Sequence, residues 1–385
     1  MDKIIIVGAG LSGATIARLF ADSGKDVTVV DKRATIGGNA YDFVDKNGIT
    51  VQPYGPHIFH TKEKEVFDFL SKFTEWNVYE HKVLANLKGK LVPVPFNLTS
   101  LFACFPKAKA ERIYNILTTE VGFDKKVPIL QLKEHKNAEI REFADYVYNN
   151  IFYKYTKKQW KMKPEDLGEA VMSRVPVYVS YEDRYFTDDY QFMPKKGFTE
   201  MITNMLRHPH IRLKLNTDAD KIISFENGEI YFEGKKFDGI VVYTGRVEEI
   251  FGYKFGALPY RTLKFKFKTL NRSSFQKAAV VNYTTSHKFT RITEFTKFTC
   301  DKKDKTVIVK EYSKKCKKGD MPYYPVPTEK NYKLYDAYAN EAAKYKKLYL
   351  LGRLANYKYI NMDIAVYNAM KLFEKISEDN VFTEE

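Results

Sequence analysis

The chain opens on glycines whose spacing has a chemical use. Gly8-Ala9-Gly10-Leu11-Ser12-Gly13 fits GxGxxG, and Asp31 stands 18 residues past its last glycine. Between a strand and a helix, Gly8 makes the tight turn, Gly10 lets the backbone approach a pyrophosphate, and Gly13 lets the helix lie close on the sheet. The helix N-terminus around Ser12 offers unpaired N–H groups to phosphates. Asp31 is expected to accept from the ribose hydroxyls of an adenosine. Gly37-Gly38-Asn39 follows a few residues on, and Lys32, Gly38 and Asn39 join the candidate cofactor contacts. His57 and His60 flank an aromatic residue at a spacing of three, which could suggest metal ligands. No third ligand group accompanies them, and no metal is expected. No Ser-His-Asp or Cys-His arrangement and no close carboxylate pair stands out.

These residues need elements to hold them. Lys3–Val7 reads as a buried strand, Leu11–Ser23 as a helix stopped by Gly24, and Val27–Val30 as a second strand ending at Asp31. Strand, helix and strand make a βαβ unit with parallel strands. Segment 97–122 looks helical, with Ile113, Ile116, Leu117 and Val121 on one face. In segment 138–151, Ile140, Phe143, Ala144, Val147 and Ile151 recur at helical spacing after a plausible N-cap, Asn137. Thr262–Lys268, Ala278–Tyr283 and Thr306–Tyr312 read as antiparallel strands. Ile211–Leu215, Ile222–Phe225, Ile230–Phe232 and Gly239–Tyr243 read as strands rejoining the nucleotide-binding sheet. Tyr349–Gly352 reads as a last strand and Met362–Ile376 as a last helix. The fold class is therefore α/β.

Composition bounds the rest. The 385 residues are 44% hydrophobic and 29% charged, ordinary for a folded protein of two or three units. No apolar run reaches the ~20 residues of a membrane span. Ile4–Val7 is too short for a secretory signal. Cys104, Cys300 and Cys316 are sparse and odd in number, so a reduced, cytoplasmic location is expected. Net charge is +15, from 50 Lys and 13 Arg against 48 Asp and Glu. The plain reading is a lysine-rich solvated surface, and no zinc-finger, bZIP or RRM pattern supports nucleic-acid binding.

An acidic residue followed by a Gly-Gly pair resembles the FAD-binding flavoproteins of the glutathione-reductase and amine-oxidase type. The terminal Leu350-Leu351-Gly352-Arg353, with a helix from near Met362, suits the same group. Further motifs narrow it. Gly55-Pro56-His57-Ile58-Phe59-His60-Thr61, Tyr155-Thr156-Lys157-Lys158-Gln159-Trp160, Asp183-Arg184-Tyr185-Phe186, Phe289-Thr290-Arg291-Ile292-Thr293-Glu294, Pro322-Tyr323-Tyr324-Pro325 and Gly352-Arg353-Leu354 resemble, in order, the bacterial UDP-galactopyranose mutase family. The resemblance runs from residue 3 to about 375.

It implies a discontinuous Rossmann-like FAD domain (1–75, 197–245 and 340–385), a helical bundle (76–150) and an antiparallel sheet domain (151–196 and 246–339). It also implies interconversion of a nucleotide-linked pyranose and furanose without net redox change. FAD must be reduced, with its N5 as nucleophile on the anomeric carbon. Arginine is scarce here, so Arg174 and Arg291 stand out as diphosphate ligands that stabilise the leaving charge. Tyr185, Tyr324 and Tyr359 suit phosphate oxygens, Phe152 and Tyr155 the uracil, and Asn361 the substrate. Trp160 begins a stretch to Val175 that resembles the family's mobile loop. His57 and His60 are expected against the flavin, His60 also as a catalytic group, and Arg353 and Met362 at the cofactor. A homodimer is common in the family.

Some positions depart from the family pattern: Ile151, Lys161, Val179, Ser180, Phe192 and Asn361. They gather around the expected nucleotide and sugar, so an N-acetylated or 6-deoxy sugar, some carried on dTDP, is the alternative substrate. Apolar Ile151 and Phe192 would suit a sugar lacking a hydroxyl. An amine oxidase-like redox enzyme on the same scaffold is the remaining rival.

Overall fold

The computed structural model describes residues 3–162, 176–299 and 303–381. The expected βαβ unit forms from strand Lys3–Val7, helix Leu11–Asp22 and strand Asp26–Val30. It grows into a five-stranded sheet in the order Ile211–Lys214, Asp26–Val30, Lys3–Val7, Ile240–Tyr243, Leu348–Leu350. Every pairing in it is parallel. The strand order reverses beside Lys3–Val7, and α/β sheets open a crevice at such a point, beyond the carboxyl ends of the strands. Leu11–Asp22 packs against the long C-terminal helix Met362–Val381 and against Phe198–Leu206.

Two of the four segments expected to rejoin this sheet do not. Ile223–Glu226 and Glu229–Phe232 pair with each other and with Lys235–Lys236 as a separate antiparallel sheet. Two-residue turns cause this. Asn227-Gly228 and Glu233-Gly234 both take positive φ, the hairpin geometry that folds neighbouring strands back on each other.

The second large sheet has seven strands, in the order Tyr324–Pro325, Tyr260–Leu270, Thr306–Lys315, Arg291–Glu294, Val280–Asn282, Val83–Leu87, Lys90–Val94. One pairing, Val280–Asn282 with Val83–Leu87, is parallel. Residues 83–94, expected within the helical bundle, are instead a hairpin of this sheet. Lys88-Gly89 turns it with positive φ at both residues, and Val83, Ala85 and Leu87 alternate inward.

The helical segment expected over 97–122 is two helices, Leu98–Cys104 and Lys107–Glu120. Pro106, which has no N–H, sits at the start of the second. Asn137 caps Ala138–Val147 as expected, its Oδ1 accepting from the N–H groups of Glu139 and Ile140. This helix then widens into a π-turn over Tyr148–Tyr153 and resumes as Lys154–Trp160. One continuous apolar core joins these helices to the parallel sheet.

A buried carboxylate ties the early loop to a distant helix. Asp42 accepts from the N–H groups of Phe198 (2.7 Å) and Thr199 (2.9 Å), and Thr199 Oγ1 donates to the Asp42 carbonyl at 2.8 Å. Gly197, at φ +88°, lies so close that a Cβ would come within 2.7 Å of this carboxylate. Asp42→Ala removes the acceptor of two helix N-terminal donors, so a loss of about 2 kcal/mol is expected, read as a lowered thermal midpoint.

Candidate active site

A cavity of about 470 Å³ opens at the carboxyl ends of the parallel strands. Its floor is the glycine turn: Gly8, Gly10, Ser12 and Gly13 all line it. Gly8 has φ +111°, and a Cβ there would come within 2.0 Å of Thr244 Oγ1. A Cβ on Gly13 would lie 1.9 Å from the Gly8 carbonyl oxygen. Gly10 meets Gly38 back to back, so that a Cβ on Gly38 would stand 2.9 Å from the Gly10 Cα. Helix Leu11–Asp22 has neither a side-chain cap nor an acidic residue in its first turn. Its first N–H groups are thus left for an anion. This is a cradle of backbone that suits the pyrophosphate of a dinucleotide.

Asp31 stands at the mouth, 9% exposed. One carboxylate oxygen accepts from the Ala9 N–H and the other from the Arg33 N–H, each at 2.8 Å. A carboxylate has about four acceptor sites, so capacity for ribose hydroxyls remains. Lys32 also lines the cavity and pairs with Glu249 across 3.3 Å. Asn39 lines it as well, and its Oδ1 accepts from Arg33 Nη2 at 2.9 Å.

Sequence reasoning passed over several lining residues. Arg33 lies over the Tyr54 ring at 4.8 Å, and its Nη1 is buried without a partner at the cavity wall. Its place two residues past Asp31, in a chain with 13 arginines, was the available signal. Thr217–Asp220 and Thr244–Arg246 reach the cavity from the ends of two later strands. No local motif marks them, since only the sheet order brings them here.

At the other end, Gly352 takes φ +93° and approaches Ser12 so closely that a Cβ would lie 3.1 Å from its Oγ. Arg353 donates from Nη2 to the Ile360 carbonyl at 2.5 Å and lies 4.9 Å over the Tyr359 ring. His57 lines the cavity, and its Nδ1 lies 2.9 Å from the Gly55 carbonyl oxygen. Burial, and then the Arg353 charge, pull its pKa down to about 4. The ring is therefore neutral at pH 7, with Nδ1–H donating and Nε2 left as an acceptor. Met362, expected at the cofactor, and Asn361, expected at the substrate, both line this cavity.

His60, expected against the flavin and as a catalytic group, is not among the residues lining this cavity. Its ring stacks on Phe186 with centroids 3.5 Å apart, and its Nδ1 lies 2.8 Å from Asp188 Oδ2. Strand Phe59–Thr61 pairs with Tyr190–Pro194, and that register turns His60 toward the Phe186–Asp188 segment.

The second part of the site gathers around Arg291. Its Nε lies 3.3 Å from Glu311 Oε1, and Glu311 is 2% exposed. Burial works against the Arg291 charge. Glu311, with Tyr155, Tyr324 and Tyr185 close by, outweighs it and holds the pKa well above the ordinary value. Burial pushes the Tyr155 phenol up to about 12 and raises Tyr324 further, Glu311 adding to the latter. Both phenols therefore remain O–H donors at neutral pH. Tyr324 lies 5.5 Å from Tyr359 and 6.1 Å from Trp160, ring to ring. A fixed cation ringed by protonated phenols suits a diphosphate.

His81, unmarked by any motif, is buried beside this group. Its ring lies 5.9 Å from both Tyr185 and Phe186, and burial, then Arg291, lower its pKa to about 3. Phe152, expected at the uracil, is 4% exposed and packed in the main core. Ile151 is packed there too, and Phe192 stacks on Phe67 at 4.9 Å. Their apolar character is spent on packing, so the expected link to a deoxy sugar has no support from them. Arg174, with most of the Trp160–Val175 stretch, lies outside the described residues.

Gly10→Leu leaves the fold standing, because a Cβ at Gly10 meets nothing nearer than Gly38 Cα at 3.6 Å. Its side chain fills the cradle, so protein without yellow colour is expected, read from visible absorbance. A pH effect follows from the two neutral histidines. Unfolded, each takes up a proton below about pH 6.5, whereas the native pKa values are about 4 and 3. The unfolded state then binds more protons, so stability falls as pH drops from about 6.5. Thermal midpoints at pH 7.5 and 5.5 test this, and His57→Gln/His81→Gln is expected to shrink the difference.

Comparison with known proteins agrees with this geometry. The profile of the UDP-galactopyranose mutase family matches residues 150–359, and that of an NAD(P)-binding Rossmann-like domain matches residues 6–73. A dTDP-fucopyranose mutase of Escherichia coli is 34% identical over 99% of this chain and 100% of its own. A probable UDP-galactopyranose mutase of Klebsiella pneumoniae is 34% identical over 96% of this chain and 93% of its own. In three dimensions the chain is similar to a crystal structure of reduced UDP-galactopyranose mutase, with TM-score 0.76 and 15% identity over 98% of this chain and 94% of that one. With a Rossmann-like cradle at one end of the site and a half-buried arginine among tyrosines at the other, the chain belongs to the UDP-galactopyranose mutase family, flavoenzymes that interconvert the pyranose and furanose forms of nucleotide sugars.

Proposed function

We propose that this protein converts UDP-galactopyranose to UDP-galactofuranose, with FAD held in the reduced state. The observation that carries the reading is Arg291, half-buried against the buried Glu311, with the protonated phenols of Tyr155 and Tyr324 and the ring of Tyr185 close by. Reduced FAD supplies a nucleophilic nitrogen, N5, for the anomeric carbon. Backbone N–H groups at the start of Leu11–Asp22 hold its pyrophosphate, and Asp31 accepts from its ribose. Arg291 and the tyrosines hold the nucleotide diphosphate and stabilise the charge that grows on it as the glycosidic bond breaks. The same donors keep the departed diphosphate in place for return to the sugar. Neutral His57 presents an acceptor toward the cofactor.

A second reading is dTDP-fucopyranose as substrate. The full-length similarity to the Escherichia coli dTDP-fucopyranose mutase favours it. Both substrates present the same diphosphate to Arg291 and differ in base and at the sugar C6.

Dithionite-reduced protein incubated with UDP-galactose, UDP-N-acetylgalactosamine and dTDP-fucose is expected to form a furanose product without stoichiometric consumption of reductant. The preferred donor separates the two readings, and consumption of oxygen in proportion to product would identify an oxidase instead. Arg291→Ala is expected to lower kcat/KM about 100-fold or more, roughly 2.7 kcal/mol of transition-state stabilisation, while FAD absorbance is kept. Retained turnover would remove the diphosphate assignment.

A further inference from the structure

Tyr155 and Trp160 sit on the short helix Lys154–Trp160, whereas Arg291 begins a strand more than a hundred residues later. Something must hold the two segments in register. Between Tyr155 and Trp160, on the same helix, Lys158 points its ammonium group into the loop that leads to Arg291. It donates to the carbonyl oxygens of Tyr283, Ser286 (2.9 Å) and Phe289 (3.3 Å). Phe289 is two residues before Arg291, and its neighbour Thr290 donates from its N–H to the Glu311 carbonyl at 2.8 Å.

A lysine ammonium has three N–H donors, and here three main-chain carbonyls accept them. Burial, and then Lys161, bring the Lys158 pKa down to about 8, so the group is charged at neutral pH. The next residue makes a second joint. The Gln159 carbonyl accepts from Arg261 Nε at 3.2 Å and from Ser313 Oγ, two side chains of the neighbouring strands Tyr260–Leu270 and Thr306–Lys315. The helix is thereby pinned to two strands of the seven-stranded sheet, one of them the strand that carries Glu311, and to the loop between Asn282 and Arg291.

We propose that Lys158 is a positioning residue: its ammonium group, seated among the carbonyls of Tyr283, Ser286 and Phe289, locks the helix bearing Tyr155 and Trp160 to the loop that leads into Arg291, and so assembles the nucleotide-diphosphate site. The role rests on the proposed nucleotide-sugar reading, but the joint itself has a readout that needs no substrate.

The chain has two tryptophans, so in a Trp76→Phe background Trp160 is the sole emitter. Into this background go Lys158→Met, which keeps length without donors, and Lys158→Arg, which restores donors and charge. For FAD-loaded Lys158→Met, acrylamide quenching of Trp160 is expected to rise at least twofold. Binding of UDP and of dTDP is expected to weaken at least tenfold with the flavin spectrum unchanged, and Lys158→Arg is expected to recover most of both. Unchanged quenching with Lys158→Met overturns the proposal. So does loss of FAD in parallel with the quenching change, because the lysine would then be a general stability element. If Lys158→Met does not fold, Lys158→Gln, with two donors, is judged by the same criteria. Failure of the parent protein to bind either nucleotide would count against the nucleotide-sugar reading, while the quenching result alone decides for or against the joint.

Discussion

The site hangs on an interlock made almost wholly of backbone. The Ala9 N–H donates to the Asp31 carboxylate, the Gly37 N–H donates to the Ala9 carbonyl at 2.9 Å, and Gly10 and Gly38 touch where side chains would collide. A dinucleotide pyrophosphate is bulky and doubly charged, and it needs N–H groups brought within hydrogen-bond reach. Two loops that carry glycine where they touch, held together by a buried carboxylate, meet that need at low steric cost. The five-stranded sheet keeps the two loops at the same height, because they follow directly paired parallel strands.

The second half of the site follows the opposite rule. Around Arg291 the donors are side chains, and the difficulty is to keep a half-buried cation charged and aimed. Glu311 is placed behind it, on the adjacent strand, at the register position that pairs with Arg291 itself. Tyrosines stand at its flanks, and burial keeps the phenols of Tyr155 and Tyr324 protonated. The guanidinium therefore has a partial counter-ion at its back and donors at its flanks, and these donors are fixed before any ligand arrives. Such preorganisation is what lets a site stabilise charge that appears only as a bond breaks. The family match over 150–359 covers this half, and the Rossmann-like match covers the glycine turn and the loop after it.

Between the halves, Arg353 acts on both. It borders the cofactor cavity, lies over Tyr359 and depresses the basicity of His57. Its location one residue past Gly352, which approaches Ser12 closely, links the C-terminal segment to the first helix. Strand Leu348–Leu350 and helix Met362–Val381 thus pack onto the sheet and helix begun by the first 30 residues.

Much of this was legible in the residues alone. The glycine turn, Asp31, Gly38, His57, Gly352 and Arg353 announce themselves because backbone approach and fixed charge demand particular residue types at particular places. The first strand and helix, the Asn137 cap and the long strands around 262 and 306 could be read because periodicity and capping are local. What the sequence could not disclose is where distant segments meet. Thr217–Asp220 and Thr244–Arg246 are unremarkable in the chain and become cavity wall only through sheet order. His60 and Phe192 keep motif-like surroundings, yet strand register turns one toward Phe186 and Asp188 and the other onto Phe67. Phe152 and Ile151 were read by position, but packing of the π-turn buries them. Local chemistry is written in residue type and spacing. Which face a side chain presents, and to whom, depends on contacts between residues far apart in the chain, and only the folded structure settles those.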